Sequence, residues 1–153
     1  MRKYLMLVVL FLAPMTFAQT SIDAFAQAIA KAEGFYKKGS IPNRYRNPGD
    51  LKAVRGQKYP GQVSIGKGGH IVFRNDAAGW YALRAKLEKI VAGESRVYSP
   101  QMTLRDMARK YAGNYRIWAK SVSKSLGVPD TTTIAELFDI PPVLRPEWIK
   151  ESI

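Results

Sequence analysis

SIDAFAQAIAKAEGFYKKGSIPNRYRNPGDL, residues Ser21 to Leu51, is the stretch whose reading decides the fold. Its first third carries the marks of a short amphipathic helix. Ser21 can cap it, Asp23 lies in the first turn where the helix dipole favours a carboxylate, and Gly34 supplies the stop. Ile22, Phe25, Ala26 and Ile29 recur at helical spacing and mark a buried stripe. At about 100° per residue, Glu33 projects about 20° from Ile22 and Ala26 and about 40° from Ile29. A carboxylate therefore closes the apolar face, in the last turn, where the dipole opposes negative charge. Burial and dipole both raise its proton affinity, as a general acid working near neutral pH requires. The competing reading is a helix-terminal glutamate that reaches solvent, and Ala32-Glu33-Gly34 alone does not separate the two.

The residues after Glu33 favour the acid. The segment Glu33-Gly34-Phe35-Tyr36, then Gly39-Ser40-Ile41-Pro42, Arg44 and Asn47-Pro48-Gly49-Asp50-Leu51, resembles the active-site region of lysozyme-like muramidases. It is most similar to the lytic transglycosylase-like proteins of phage structural components and small secreted bacterial proteins. The similarity extends through Phe73, Asn75 and Ala77-Ala78-Gly79-Trp80, then Tyr98-Ser99-Pro100-Gln101-Met102-Thr103-Leu104. It continues in Tyr111-Ala112-Gly113-Asn114 and Ser125-Leu126-Gly127-Val128. The resemblance implies a mainly helical, lysozyme-like α+β fold, a catalytic glutamate ending the first helix, and peptidoglycan glycan strands as substrate. Two patterns of related enzymes are missing: the ES…GLMQ run of soluble transglycosylases, and the Glu-x8-Asp-x5-Thr spacing of T4-type lysozymes. The reaction product is left open.

The chain begins with a targeting pattern. Arg2-Lys3 form a basic start, Leu5 to Leu12 an apolar core, and Thr16-Phe17-Ala18 a small-residue cleavage site, so export with cleavage after Ala18 is expected. Residues 19–153 then form one lysozyme-like domain, expected to be a periplasmic or secreted monomer. With no cysteine there are no disulfides and no thiolate site. His70 is the only histidine, and no GxSxG elbow accompanies it; it reads as structural or exposed. No metal or other cofactor is expected.

Charge is the strongest compositional signal. The chain holds 24 basic and 12 acidic residues, a net charge of +12, or about +10 without Arg2 and Lys3. A solvated basic surface explains this blandly, and nucleic acid is the usual sharper reading. For an exported chain the anionic cell envelope is the partner met first, so nucleic acid is not expected.

Along the rest of the chain, Gln62 to Ile65 and His70 to Arg74 read as a β-hairpin joined by Gly66-Lys67-Gly68-Gly69. These glycines lack the order of a phosphate loop and read as a flexible tip. Asn75 or Asp76 opens a central helix with Trp80, Leu83, Leu87, Ile90 and Val91 inward. Thr103 to Asp106 starts another, with Leu104, Met107, Ala108 and Tyr111 inward. Asn114 opens a further one, with Ile117, Trp118, Val122 and Leu126 inward and Gly127 closing it. Thr133 to Phe138 is a last helical turn or two, and Pro141-Pro142, Pro146 and Trp148 belong to a surface tail.

Glycosidic cleavage needs a proton for the leaving oxygen and stabilisation of an oxocarbenium-like centre. Glu33 is the candidate acid. Asp50, 17 residues on, is either a second carboxylate across a cleft or, the reading preferred, a turn residue organising Asn47 to Leu51. If it is the turn residue, Glu33 serves twice, as acid and then as base toward the sugar's own 6-hydroxyl, giving an anhydro product. Tyr36, Arg44, Asn47 and Tyr115 are candidates for binding sugar or bracing the acid. A wall-binding module without turnover would use the same basic, aromatic surface but would not need a buried acid.

Overall fold

The computed structural model describes residues 20–141. The targeting segment (Arg2-Lys3, Leu5 to Leu12, the site after Ala18) and Pro142, Pro146 and Trp148 lie outside the described residues. The fold is α+β, about half helical, with one small two-stranded antiparallel sheet. In chain order it runs α1 (Ile22–Ala32), α2 (Ile41–Arg44), β1 (Gln62–Ile65), β2 (Ile71–Phe73), α3 (Asp76–Val91), α4 (Leu104–Tyr111), α5 (Tyr115–Leu126) and α6 (Ile134–Leu137). Among the described residues no helix is long and apolar enough to cross a membrane.

The helix starts reflect local chemistry. Ser21, Ser40, Asn75, Thr103, Asn114 and Thr133 each accept a backbone N–H with the side chain, satisfying donors that a helix start leaves free. At α6 the arrangement is reciprocal, because the Glu136 carboxylate also accepts from the Thr133 N–H. Helices α1, α3 and α5 surround one core, with α1 packed on both others and α4 on α5. Phe25, Ile29, Leu83, Leu87, Ile90, Leu104, Met107, Val122 and Ile134 are fully buried there. On the rim of α1 and α3, Arg84 pairs with Asp23.

One apolar assignment fails. Ile117 is 67% exposed, while Trp118, Ala119, Val122 and Ser123 are the buried residues of α5. One residue is about 100° of helix, and that step carries Ile117 from the core face to the open side.

The hairpin is short and bulged between Gln62 and Ser64, with Ile65 opposite Ile71. Its connection is a single 3-10 turn, Lys67–Gly69, held down by Tyr45, whose hydroxyl accepts from the Lys67 N–H at 3.1 Å. A third segment joins it: the Ala53 N–H donates to the Gly69 carbonyl and the Ile71 N–H to the Leu51 carbonyl. That pairing sets Lys52 opposite His70. Beneath it, the loop before Asp50 lies directly on α3. A β-carbon on Gly79 would come within 2.0 Å of the Arg46 carbonyl oxygen, so only glycine allows the approach.

Candidate active site

Glu33 is the C-terminal cap of α1, its N–H still donating to the Ile29 carbonyl at 2.9 Å. Gly34 then takes a left-handed φ of 76° and turns the chain away. Two bonds fix that exit: the Ser40 hydroxyl donates to the Gly34 carbonyl at 2.8 Å and the Asn43 amide to the Phe35 carbonyl at 3.1 Å. The Glu33 side chain points toward α5, where the Trp118 indole N–H donates to Oε1 at 2.7 Å. Burial pushes the pKa of Glu33 from 4.5 up to about 7, the Trp118 hydrogen bond opposing and the charge of Asp50 adding to the rise. Desolvation outweighs the hydrogen bond, so a substantial fraction is protonated at neutral pH.

The facing wall is built around Asn47. This residue is fully buried, and its amide donates to the Leu51 and Ile71 carbonyls, both at 2.9 Å, while its oxygen accepts from the Leu51 N–H at 2.8 Å. Asn47 thus closes the turn internally and welds it to β2. Asp50 is left at the turn's end with a left-handed φ of 46°. Its Oδ1 sits 2.8 Å from His70 Nδ1 and has no aligned hydrogen-bond partner. The same ring nitrogen also lies 3.3 Å from the Asp50 carbonyl oxygen, so it sits against both the carboxylate and the carbonyl of the residue. Burial raises the Asp50 pKa above its ordinary 3.8, against the opposing influence of His70 and Lys52.

Between the walls lies a cleft of about 600 Å³, lined by both carboxylates together with His70, Lys86, Tyr98, Tyr111 and Trp118. Tyr111 spans it from below. Its hydroxyl donates to the Gly49 carbonyl at 2.7 Å on one side, and its ring lies 5.1 Å from the Trp118 ring on the other. Ile117, Val54 and Val97, all exposed, stand at the mouth.

The expected site residues separate cleanly. Glu33 and Asp50 come together in the cleft. The reading of Asp50 as the organiser of its turn is corrected, because Asn47 makes those hydrogen bonds and the Asp50 carboxylate faces His70. Asn47 in turn cannot bind sugar, since it is enclosed and its amide is spent on the backbone. Tyr36, Arg44 and Tyr115 are not among the cleft residues. Tyr36 is 62% exposed beside Phe35, Arg44 covers Tyr45, and Tyr115 lies between Arg109 and Arg116.

Sequence reasoning read His70 as structural or exposed and gave no site role to Lys86, Tyr98, Tyr111 or Trp118. Trp118 and Tyr111 were correctly placed on inward stripes, but a buried indole or phenol also carries a donor that needs a partner. That requirement was the available signal for Trp118 on Glu33. Nothing local to His70 or Lys86 announces a cleft, because both arrive by tertiary packing.

Among the described residues no three His, Cys, Asp or Glu side chains gather as a metal site. The arrangement offers a proton donor poised near neutrality and a second carboxylate lining the same cleft. Comparison with protein-family models, curated proteins and solved structures finds no match to this chain.

Proposed function

We propose that this protein is an exported, lysozyme-like enzyme that cleaves the β-1,4 glycosidic bond of peptidoglycan between N-acetylmuramic acid and N-acetylglucosamine. The observation that carries the reading is Glu33, whose carboxyl lies in the cleft with its pKa pushed up to about 7 by burial. Glu33 protonates the leaving oxygen as the bond breaks, and the sugar left behind carries oxocarbenium-like positive charge. Glu33, now anionic, then takes a proton from that sugar's 6-hydroxyl, which closes on the anomeric carbon and yields a 1,6-anhydro end. Asp50, held by His70, faces the developing charge as a fixed negative group.

A second reading is hydrolysis with Asp50 as the second catalytic carboxylate, and the lining of one cleft by both carboxyl groups favours it. In that case water replaces the 6-hydroxyl and the product has a reducing end. A wall-binding role without turnover is less well supported, because binding has no use for a carboxyl with this raised proton affinity. The test is incubation with purified peptidoglycan, borohydride reduction and mass analysis of the soluble products. Anhydro ends resist reduction and support the transglycosylase; ends that gain two hydrogens support the hydrolase. No soluble fragments from chain of verified fold would overturn both.

A further inference from the structure

Lys86 is a charged group in the cleft that the proposed chemistry does not use. It projects from α3 and is half-buried, with its ammonium 5.3 Å from the Tyr98 ring centre and 5.2 Å from that of Tyr111. Two aromatic faces thus hold one cation. Among the described residues no carboxylate lies within ion-pair distance of it. Burial lowers its pKa, the sign of a cation kept partly from water without a compensating anion. Lys52 and Lys110 also line the cleft, but both are exposed and so act mainly as long-range attraction.

A half-desolvated cation clamped by rings, opening on a substrate groove, gains most from an anion brought by the ligand. We infer that Lys86 is a specificity residue that receives a carboxylate carried by the glycan substrate, so that the cleft prefers acidic over neutral β-1,4-linked N-acetyl sugars. The inference rests on the proposed glycan-cleaving role. Two sources present that carboxylate: the lactyl ether of a peptide-free muramic acid, and the stem peptide attached to it. Both are carboxylates at neutral pH, and the ring clamp supplies the same partner to either.

Isothermal titration calorimetry with the Glu33→Gln chain, which does not turn over, separates the outcomes. The probes are chitotetraose, a peptide-free tetrasaccharide alternating N-acetylglucosamine and N-acetylmuramic acid, and the same tetrasaccharide bearing stem peptides. Added to this background, Lys86→Met is expected to weaken an acidic probe by about ten- to a hundredfold and to leave chitotetraose within about twofold. Lys86→Arg should restore much of the loss. Weakening of the peptide-free probe locates the carboxylate on the lactyl ether; weakening of the peptide-bearing probe alone locates it on the stem. If Lys86→Met does not fold, Lys86→Gln carries the same comparison. Equal weakening of neutral and acidic probes, or no weakening, overturns the inference and leaves the proposed function standing. Failure of all three probes to bind the Glu33→Gln parent overturns the glycan reading, and the role of Lys86 with it.

Discussion

Trp118 donates its indole N–H to Glu33 at 2.7 Å, joining the end of the first helix to α5 across 85 residues of sequence. The contact favours the ionised acid, while burial of the same carboxyl favours the neutral one, and burial wins. Glu33 is therefore held at a proton affinity set by burial and the Asp50 charge on one side and the Trp118 hydrogen bond on the other.

Glu33→Gln should reduce turnover of peptidoglycan by at least about 10²–10⁴-fold, because the amide cannot deliver the proton. Stability should move the other way. The folded-state pKa of about 7 lies above the ordinary 4.5, so the stabilising contribution of this group is full below pH 4.5 and is lost as pH rises through 7. Above that window Glu33→Gln should be more stable than the parent, by up to about 3 kcal/mol, and below pH 4.5 the gain should vanish. Urea unfolding at pH 4 and pH 8 measures both.

Trp118→Phe should shift the alkaline limb of the pH–rate profile. In the parent, the proposed activity should fall as Glu33 loses its proton near pH 7. Loss of the indole donor removes the influence that lowers the Glu33 pKa, so the limb should move to higher pH while maximal turnover falls. An unmoved limb in a folded variant would show that the indole does not govern the acid.

Asp50→Asn should move the same limb in the opposite direction, since the charge of Asp50 raises the pKa of Glu33. Under the transglycosylase reading the loss of kcat should be modest, about tenfold, and the anhydro product should persist. A loss of three orders or more, with reducible ends, would make Asp50 the second catalytic carboxylate of a hydrolase.

Asn47→Leu should destabilise the chain by about 4 kcal/mol, because the Leu51 N–H and the Ile71 carbonyl lose the amide that satisfies them, while the Leu51 carbonyl keeps only the Ile71 N–H. Gly79→Ala should cost at least about 2 kcal/mol by pushing Arg46 off α3. Chemical denaturation of each variant checks the values.

The helices were readable because their signals are local. Ser21, Thr103 and Asn114 cap the starts expected from sequence, and the stripe of Leu83, Leu87 and Ile90 is buried as its period requires. Glu33 was legible for the same reason, as a carboxylate at the end of an apolar face. The opposite wall was not. The fate of Asp50 depended on which residue closed its turn, and Asn47 and Asp50 look equally suited to that in sequence. His70 reaches Asp50 only through the backbone pairing of residues 51–53 with residues 69–71, a register that no short pattern encodes. Ile117 was misassigned because both it and Trp118 are apolar, and a helix face must choose between neighbours.

The buried Asn47 amide has a mechanical consequence. By bonding the Leu51 and Ile71 carbonyls at once, it fastens the segment after Asp50 and the strand after His70 into one plate, which Gly79 seats on α3. Glu33 and Trp118 belong to a different plate, made of α1 and α5. Tyr111 ties the two together, its hydroxyl donating to the Gly49 carbonyl while its ring lies against Trp118. Substitution of Tyr111 would loosen that tie without removing either carboxylate.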